Sequence, residues 1–281
     1  MVIRNLGHTG FDTLFCAFER AFADYEIHFE KEEVRSMLQR RGYNPKLSFA
    51  AFVNDDIVAF TLNGTGIFNG IPTAYDTGTG TLKEYRGQNL AGTIFTHSIP
   101  FLKEAGVRQY LLEVLQNNEK AISVYRRMHF ETTREFDCFR QTIERLDNQN
   151  VNAGCLVEAV SLDAIRQSQS CCDFTTSWQN SIESIERGMS ELTCLGAFLD
   201  RKMVGHCVFD VQTGDLTQIA VRRDYRRKGI GSRLLQEAAG QMKTDFIKVL
   251  NIDSETPTMP AFLQNRNIPL ASKQFEMVLS L

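Results

Sequence analysis

Apolar residues at helical spacing and short apolar runs bounded by turn residues follow one another along this chain in a fixed order, and that order occurs twice. The first series predicts helices over 11–22 and 31–40, then strands over 48–53 and 57–62 joined by the turn Asn54-Asp55-Asp56. The second predicts helices over 161–167 and 178–187, then strands over 193–199 and 203–209 around Asp200-Arg201-Lys202. In each series a third strand runs into a segment rich in Arg and Gly. Apolar positions at helical spacing follow: Leu90, Ile94, Ile99 and Leu102 in one, Leu234, Leu235, Ala238 and Met242 in the other. An apolar strand (110–115; 246–252), a second helix and a terminal strand region complete each series. Meander, helix, strand, helix, strand predicts an α/β unit with a mixed, mostly antiparallel sheet flanked by helices.

The repeat is visible residue by residue. Tyr85-Arg86-Gly87-Gln88-Asn89-Leu90-Ala91-Gly92 returns as Tyr225-Arg226-Arg227-Lys228-Gly229-Ile230-Gly231-Ser232, and His129-Phe130 aligns with Asn267-Ile268. The first copy carries a few extra residues, which the pattern assigns to a hairpin over 63–72. The polar stretch 144–153, with Asp147-Asn148-Gln149-Asn150, is the natural linker. Two consecutive domains are therefore expected, 1–143 and 154–281.

Composition narrows the function classes. The 281 residues include 31 Lys+Arg against 34 Asp+Glu, a net charge of −3, so no general electrostatic pull toward nucleic acid or an anionic membrane is expected. The longest apolar runs are far short of the roughly 20 residues that cross a bilayer, and the first residues lack the apolar core of a signal peptide, so a cytoplasmic location is expected. Seven cysteines without a Cys-x-x-Cys pair, and five scattered histidines, predict neither a disulfide framework nor a metal site. Oligomeric state leaves no mark in the sequence.

The segment Arg226-Arg227-Lys228-Gly229-Ile230-Gly231 between a strand and a helix carries the most chemistry. A helix N-terminus presents unpaired N–H groups and about half a positive charge. Glycines there let the backbone approach an anion closely, and flanking cations add charge-assisted hydrogen bonds. Two readings fit these residues: a phosphate cradle, or a glycine-bearing turn beside a solvated basic patch. No G-x-x-x-x-G-K-[ST] occurs, and 229–234 lacks the third glycine of a dinucleotide fingerprint.

The pattern Q/R-x-x-G-x-G/A between a strand and a long helix resembles the acyl-CoA pyrophosphate loop of the GNAT superfamily of N-acyltransferases. The second copy matches at Arg226, Gly229 and Gly231; the first has Arg86 and Ala91 but places Asn89 where the first glycine belongs. Asn tolerates a left-handed conformation better than most residues. The resemblance implies two tandem GNAT-like domains covering most of the chain. It also implies acetyl-CoA or another acyl-CoA as cofactor, held by Ile219, Ala220, Val221, Ile230, Ser232 and the 226–231 loop. In the first copy it implies Thr79, Gly80, Thr81, Arg86, Gly87, Gln88, Asn89, Leu90, Ala91, Gly92 and Asn118.

The implied activity is acetyl transfer to a primary amine of a small molecule or peptide, with a non-catalytic acyl-CoA sensor or interaction module as the alternative. Glu113-Val114-Leu115-Gln116-Asn117-Asn118 followed by a helix bearing Tyr125 resembles the family's catalytic segment, which implies Glu113 as general base and Tyr125 as the acid for the thiolate. Tyr125 also fits a core position on an apolar stripe, and Glu113 an ordinary pairing role. The second copy places Leu263 where the tyrosine would stand, so the first copy is expected to do the chemistry and the second to bind CoA or buttress the fold. Asp24, Glu26, Glu30, Glu32 and Glu33 fit either a cationic amine or a solvated helix surface. Trp178 near Asp173 and Phe174 fits either an amine box or a core anchor.

Overall fold

The computed structural model describes residues 1–24, 30–147 and 153–281. In chain order the elements are β1 (Val2–Asn5), α1 (Phe11–Phe22), α2 (Lys31–Arg40), β2 (Phe49–Val53), β3 (Asp56–Phe68), β4 (Ile71–Thr81), α3 (Leu90–Glu104), β5 (Gln109–Leu115), α4 (Glu119–Arg127) and β6 (Glu131–Thr142). They continue with β7 (Leu156–Ala159), α5 (Leu162–Gln167), α6 (Ile182–Arg187), β8 (Leu192–Leu199), β9 (Lys202–Asp210), β10 (Leu216–Val221), α7 (Ile230–Gln241), β11 (Phe246–Asp253), α8 (Thr258–Gln264) and β12 (Leu270–Ser280). The chain is α/β, and its copies run in parallel: β1–α4 and β7–α8 repeat one sequence of elements. Glu26 and the linker residues 148–152 lie outside the described residues.

Two compact units form. One comprises Met1–Val114, Asn118–Thr133 and Glu276–Leu281; the other comprises Leu115–Asn117 and Arg134–Phe275. Neither is a continuous half of the sequence. Most of β6, which follows the first copy, belongs to the second unit, where it pairs antiparallel with β11 from Phe246↔Thr142 to Asp253↔Phe136. The end of β12 belongs to the first unit, where the Leu281 N–H donates to the Arg108 carbonyl at 2.8 Å. A ladder is satisfied by any strand of matching pattern, whatever its place in the chain.

Within the first unit, β1, β2, β3 and β4 form an antiparallel meander. Helix α1 buries Leu14, Ala17, Phe18 and Ala21, the i, i+3, i+4, i+7 stripe of an amphipathic helix. Helix α2 starts in a capping box between Glu30 and Glu33. The second unit repeats the meander as β7, β8, β9 and β10, over a core including Leu195, Val204, Phe209, Ile219, Leu234 and Ile247. Both tight hairpins turn through two residues at positive φ, Asn54 and Asp55 in one and Asp200 and Arg201 in the other, the geometry that matches strand twist. The extra length of the first copy is a longer β3–β4 hairpin, 13 and 11 residues against 9 and 6 for β9 and β10, closed by Asn69-Gly70.

Two features of each meander position a site. β4 carries a bulge at Thr77, between the pairs Leu62↔Gly78 and Asn63↔Asp76. β10 carries the same bulge at Thr217, between Leu216↔Phe209 and Gln218↔Val208. Beyond each bulge the next strand diverges. β4 pairs in parallel with β5 only from Thr73↔Gln109 to Tyr75↔Leu111, and the counterpart in the second unit is a single parallel bridge, Asp215↔Lys248. Each unit therefore holds a wedge opening at Asp76 in one and Leu216 in the other.

Candidate functional site

The strand-to-helix loops have one backbone shape. Gly229, preceding α7, has φ 81° and ψ −4°; Asn89, preceding α3, has φ 56° and ψ 27°. Two residues earlier the chain is left-handed as well, at Gly87 and Arg227. Asn89 thus occupies the conformation that a glycine would, at a cost a non-glycine residue bears. Neither helix start has a side-chain cap hydrogen bond, so the first N–H groups of both lack the usual capping partner. The loops differ in cover. A Cβ at Gly92 would lie 2.7 Å from Asn89 Oδ1, so the Asn89 side chain lies over the first turn of α3, whereas Gly229 has no side chain to place over that of α7.

Arg86 and Arg226 are straps. The Arg226 guanidinium donates to the Val221 carbonyl at 2.8 Å and the Cys171 carbonyl at 3.2 Å, and pairs with Asp173 at 2.9 Å. Arg86 repeats each contact, to the carbonyls of Thr81 (3.2 Å) and Ala21 (3.0 Å) and to Asp24 (3.0 Å). Lys83 joins Asp24 and Arg223 joins Asp173 in the same way. These residues fix the loop to the segment before the meander, leaving Arg227 and Lys228 at its exposed rim.

The second unit opens a cavity of about 900 Å³ along this loop. It is lined by the β10 residues Ile219, Ala220 and Val221, by Arg226, Arg227, Gly229, Ile230, Gly231 and Ser232, and across the wedge by Val249, Ile252, Met259 and Phe262. Gly231 is small for a reason: a Cβ there would meet the Phe262 ring at 3.3 Å. Beside the β10 bulge the lining includes the neutral Gln218 and Asn180. Gln218 donates to the Asn180 carbonyl at 2.7 Å and accepts from Gln169 at 3.0 Å. Behind it, His206 lies between Gln218 (3.4 Å) and Ser168 (2.8 Å), and burial lowers its pKa to about 4.

Titratable chemistry gathers instead in the wedge of the first unit. Asp76 accepts from the Gly78 N–H at 2.9 Å and the Thr79 hydroxyl at 2.8 Å, and the Tyr125 hydroxyl donates to it as well. Asp76 keeps partial solvent contact, yet crowding by the surrounding protein raises its pKa to about 6, against hydrogen bonds and the Arg41 charge that pull it down. Tyr125 is half-buried, edge-on to Phe130 with centroids 5.6 Å apart. Glu113 on β5 accepts from the Tyr75 hydroxyl at 3.1 Å. Tyr110 donates to Asn63 beneath the pair, and burial, with the Asp76 charge second, holds its hydroxyl well above the ordinary tyrosine range.

The correspondence of Tyr125 with Leu263 is structural as well as sequential. The Phe130 N–H bonds the Tyr125 carbonyl and the Ile268 N–H bonds the Leu263 carbonyl, each after a left-handed residue, His129 or Asn267. Leu263 is fully buried, and Leu216, the counterpart of Asp76, is too. The second wedge thus carries leucine at both positions where the first carries proton-exchanging groups. Asp76 is the residue that the sequence reading passed over. The signal was a lone carboxylate opposite Leu216 in the repeat.

Other candidates lie as follows. Asn118 caps α4, accepting from the Ala121 N–H at 3.2 Å. Thr79 and Gly80 lie on β4 just past the bulge, Gly80 pressed against Phe60, and Thr81 gives its carbonyl to Arg86. Gln88 is exposed; Leu90, Ala91 and Gly92 form the first turn of α3. The acidic residues near α1 and α2 serve local contacts: Asp24 with the straps, Glu32 with Arg35, and Glu30 with Glu33 in the capping box. Trp178 is 2% exposed with Arg187 over its ring, a core anchor rather than an open box.

A bulged strand, a diverging neighbour and an uncapped helix start approached through a left-handed loop, present twice, define the class: acetyltransferases of the GNAT type. A model of the acetyltransferase (GNAT) family matches residues 14–130 and 162–262, together more than half of the chain. The chain belongs to that family, with two copies of its domain. Among curated proteins, N-alpha-acetyltransferase 30 of Schizosaccharomyces pombe is 31% identical over 87 residues, which is 31% of this chain. The match spans 58% of that relative's length. Among solved structures, a tandem GNAT protein from the clavulanic acid biosynthesis pathway superposes with a TM-score of 0.73 at 12% identity, covering 99% of this chain and 98% of that one. A GCN5-related N-acetyltransferase from Sphaerobacter thermophilus gives 0.70 at 13%, covering 99% and 95%. At such identities the likeness is one of fold.

Proposed function

We propose that the protein is an acetyl-CoA-dependent N-acetyltransferase acting on a primary amine of a small molecule or peptide. The observation that carries this reading is the left-handed Arg227–Gly229 loop, whose uncapped helix start opens on a cavity of about 900 Å³. The residues fit the ligand: the uncapped N–H groups of α7 and the rim cation Arg227 suit a pyrophosphate, and the diverging edge of β10 suits an extended arm. The ligand supplies an activated acetyl thioester. In the first unit the corresponding ligand groups are Thr79, Gly80, Thr81, the 86–92 loop and Asn118.

Proton handling falls to the first unit. An acceptor amine becomes acidic as its nitrogen bonds carbon, and Asp76, with a pKa of about 6, is ionised and basic enough at neutral pH to take that proton. Tyr125 gives a proton to the departing sulfur. The hydrogen bond between them then returns the proton from Asp76 to Tyr125, so the pair ends as it began. Glu113 holds Tyr75 beside this pair, and its assignment as base ranks behind that of Asp76. A second reading applies to the second unit: with Leu216 and Leu263 where the first unit has Asp76 and Tyr125, it binds acyl-CoA without turning it over.

The copies 1–143 and 154–281, joined at 144–153, are read as products of one duplication, with strand ends exchanged. Among the described residues no helix is long and apolar enough to cross a membrane; a cytoplasmic location is part of the proposal. The test is CoA-thiol release from acetyl-CoA across a panel of primary amines. Turnover with at least one amine, abolished by Tyr125→Phe but not by loss of the second loop, is expected. No release with any amine, together with saturable CoA binding, would leave the non-catalytic module.

A further inference from the structure

Apart from Arg227 at the rim, the cations on and beside the second loop divide into two sets. Arg223 and Arg226 are neutralised by Asp173, and both have counterparts in the first copy, Lys83 and Arg86 on Asp24. The other set has neither counterpart nor carboxylate. Lys228 Nζ, the Arg222 guanidinium carbon and Lys202 Nζ lie 5.1, 5.6 and 6.0 Å from the centroid of the Tyr225 ring, which is part of the cavity lining. Among the described residues no ion pair joins any of the three to an acid, although Asp224 lies in the same turn. In the first copy the corresponding positions are Gln88, Leu82 and Asp56 around Tyr85.

Three like charges around one ring repel one another, and the ring face returns only part of that cost. The strapping role that explains Arg223 and Arg226 does not extend to them. An anion with more than one negative charge, held beside the Tyr225 side of the cavity, would relieve the repulsion. Resting on the acyl-CoA reading above, we propose that Lys202, Arg222 and Lys228 around Tyr225 form a subsite for the 3′-phosphate monoester of CoA, so that the second unit selects CoA over nucleotide thiols lacking that phosphate. The pyrophosphate belongs to the uncapped start of α7; the 3′-phosphate is a separate dianion that the loop backbone does not serve. The first unit, with Gln88, Leu82 and Asp56 in place of the cations, lacks this selection.

The test is calorimetric titration of the full chain with CoA and with 3′-dephospho-CoA. At low salt CoA is expected to bind about tenfold tighter, the combined effect of three solvent-screened ion contacts, and the ratio should shrink as salt is raised. The double variant Lys202→Gln/Arg222→Gln should bring CoA toward the affinity of 3′-dephospho-CoA while leaving the latter's own affinity in place. Equal affinities in the unaltered protein would overturn the subsite and spare the acyl-CoA reading; this comparison needs no variant. A ratio that survives the double variant would also overturn it. Binding of neither compound would instead remove the acyl-CoA reading, and the subsite with it.

Discussion

Replacing Asp76 by asparagine should move stability and turnover in opposite directions. Burial raises the folded-state pKa from 3.8 to about 6. Between about pH 4 and 6 the folded chain therefore holds a proton that the unfolded chain has released. Stability consequently falls as pH rises through that window and is level above it. The displacement corresponds to at most about 3 kcal/mol, reduced because solvent reaches part of the residue; about 1–3 kcal/mol is the working range. Asparagine keeps the size of the side chain and can still accept from the Gly78 N–H, while the hydroxyls of Thr79 and Tyr125 can rotate to accept from its amide. Asp76→Asn should thus match the parent protein near pH 4 and exceed it by about 1–3 kcal/mol at pH 8. Urea unfolding of both proteins at several pH values measures this. The difference between them is the quantity to follow, because His206, with its pKa lowered to about 4, contributes the opposite slope to each. Its stabilisation is present at neutral pH and lost as pH falls from about 6.5 toward 4. Turnover should fall by about 10²–10⁴-fold. A stability difference independent of pH would show that Asp76 titrates normally, and full turnover in the variant would remove it as the base.

Tyr125→Phe deletes one hydroxyl and keeps the ring against Phe130; thiol release should drop by about 10²–10⁴-fold with little change in the unfolding midpoint, and unchanged release would return Tyr125 to a packing role. Gly229→Val puts a β-branched residue at φ 81° and a side chain over the uncapped helix start; CoA affinity measured by calorimetry should fall at least about tenfold, whereas unchanged affinity would mean that this loop is only a turn. Leu263→Ala empties a fully buried site and should cost about 2–5 kcal/mol in urea unfolding, with thiol release per folded molecule retained; a selective loss of release would give the second wedge a chemical role.

The sequence by itself determined what depends on local backbone and periodicity. The duplication, α1 and α2 to the residue and both tight hairpins follow from side-chain type at fixed spacing. Asn89 is compatible by residue type with the left-handed backbone it adopts, whereas Arg227 at φ 61° is not of that kind. Tertiary structure decided what depends on partners far along the chain. Arg86 and Arg226 read as phosphate ligands in a linear motif, but each guanidinium reaches back to a carbonyl and a carboxylate more than 50 residues earlier, and those groups are adjacent only once the helices pack. Asp76 acquires its raised pKa from burial in the wedge, and the hydrogen bond that partly offsets it comes from Tyr125, 49 residues downstream; the strand's own pattern encodes neither. The exchange of strand ends between β6 and β12 was equally invisible, because a ladder records hydrophobic pattern and register but not which copy supplies the strand.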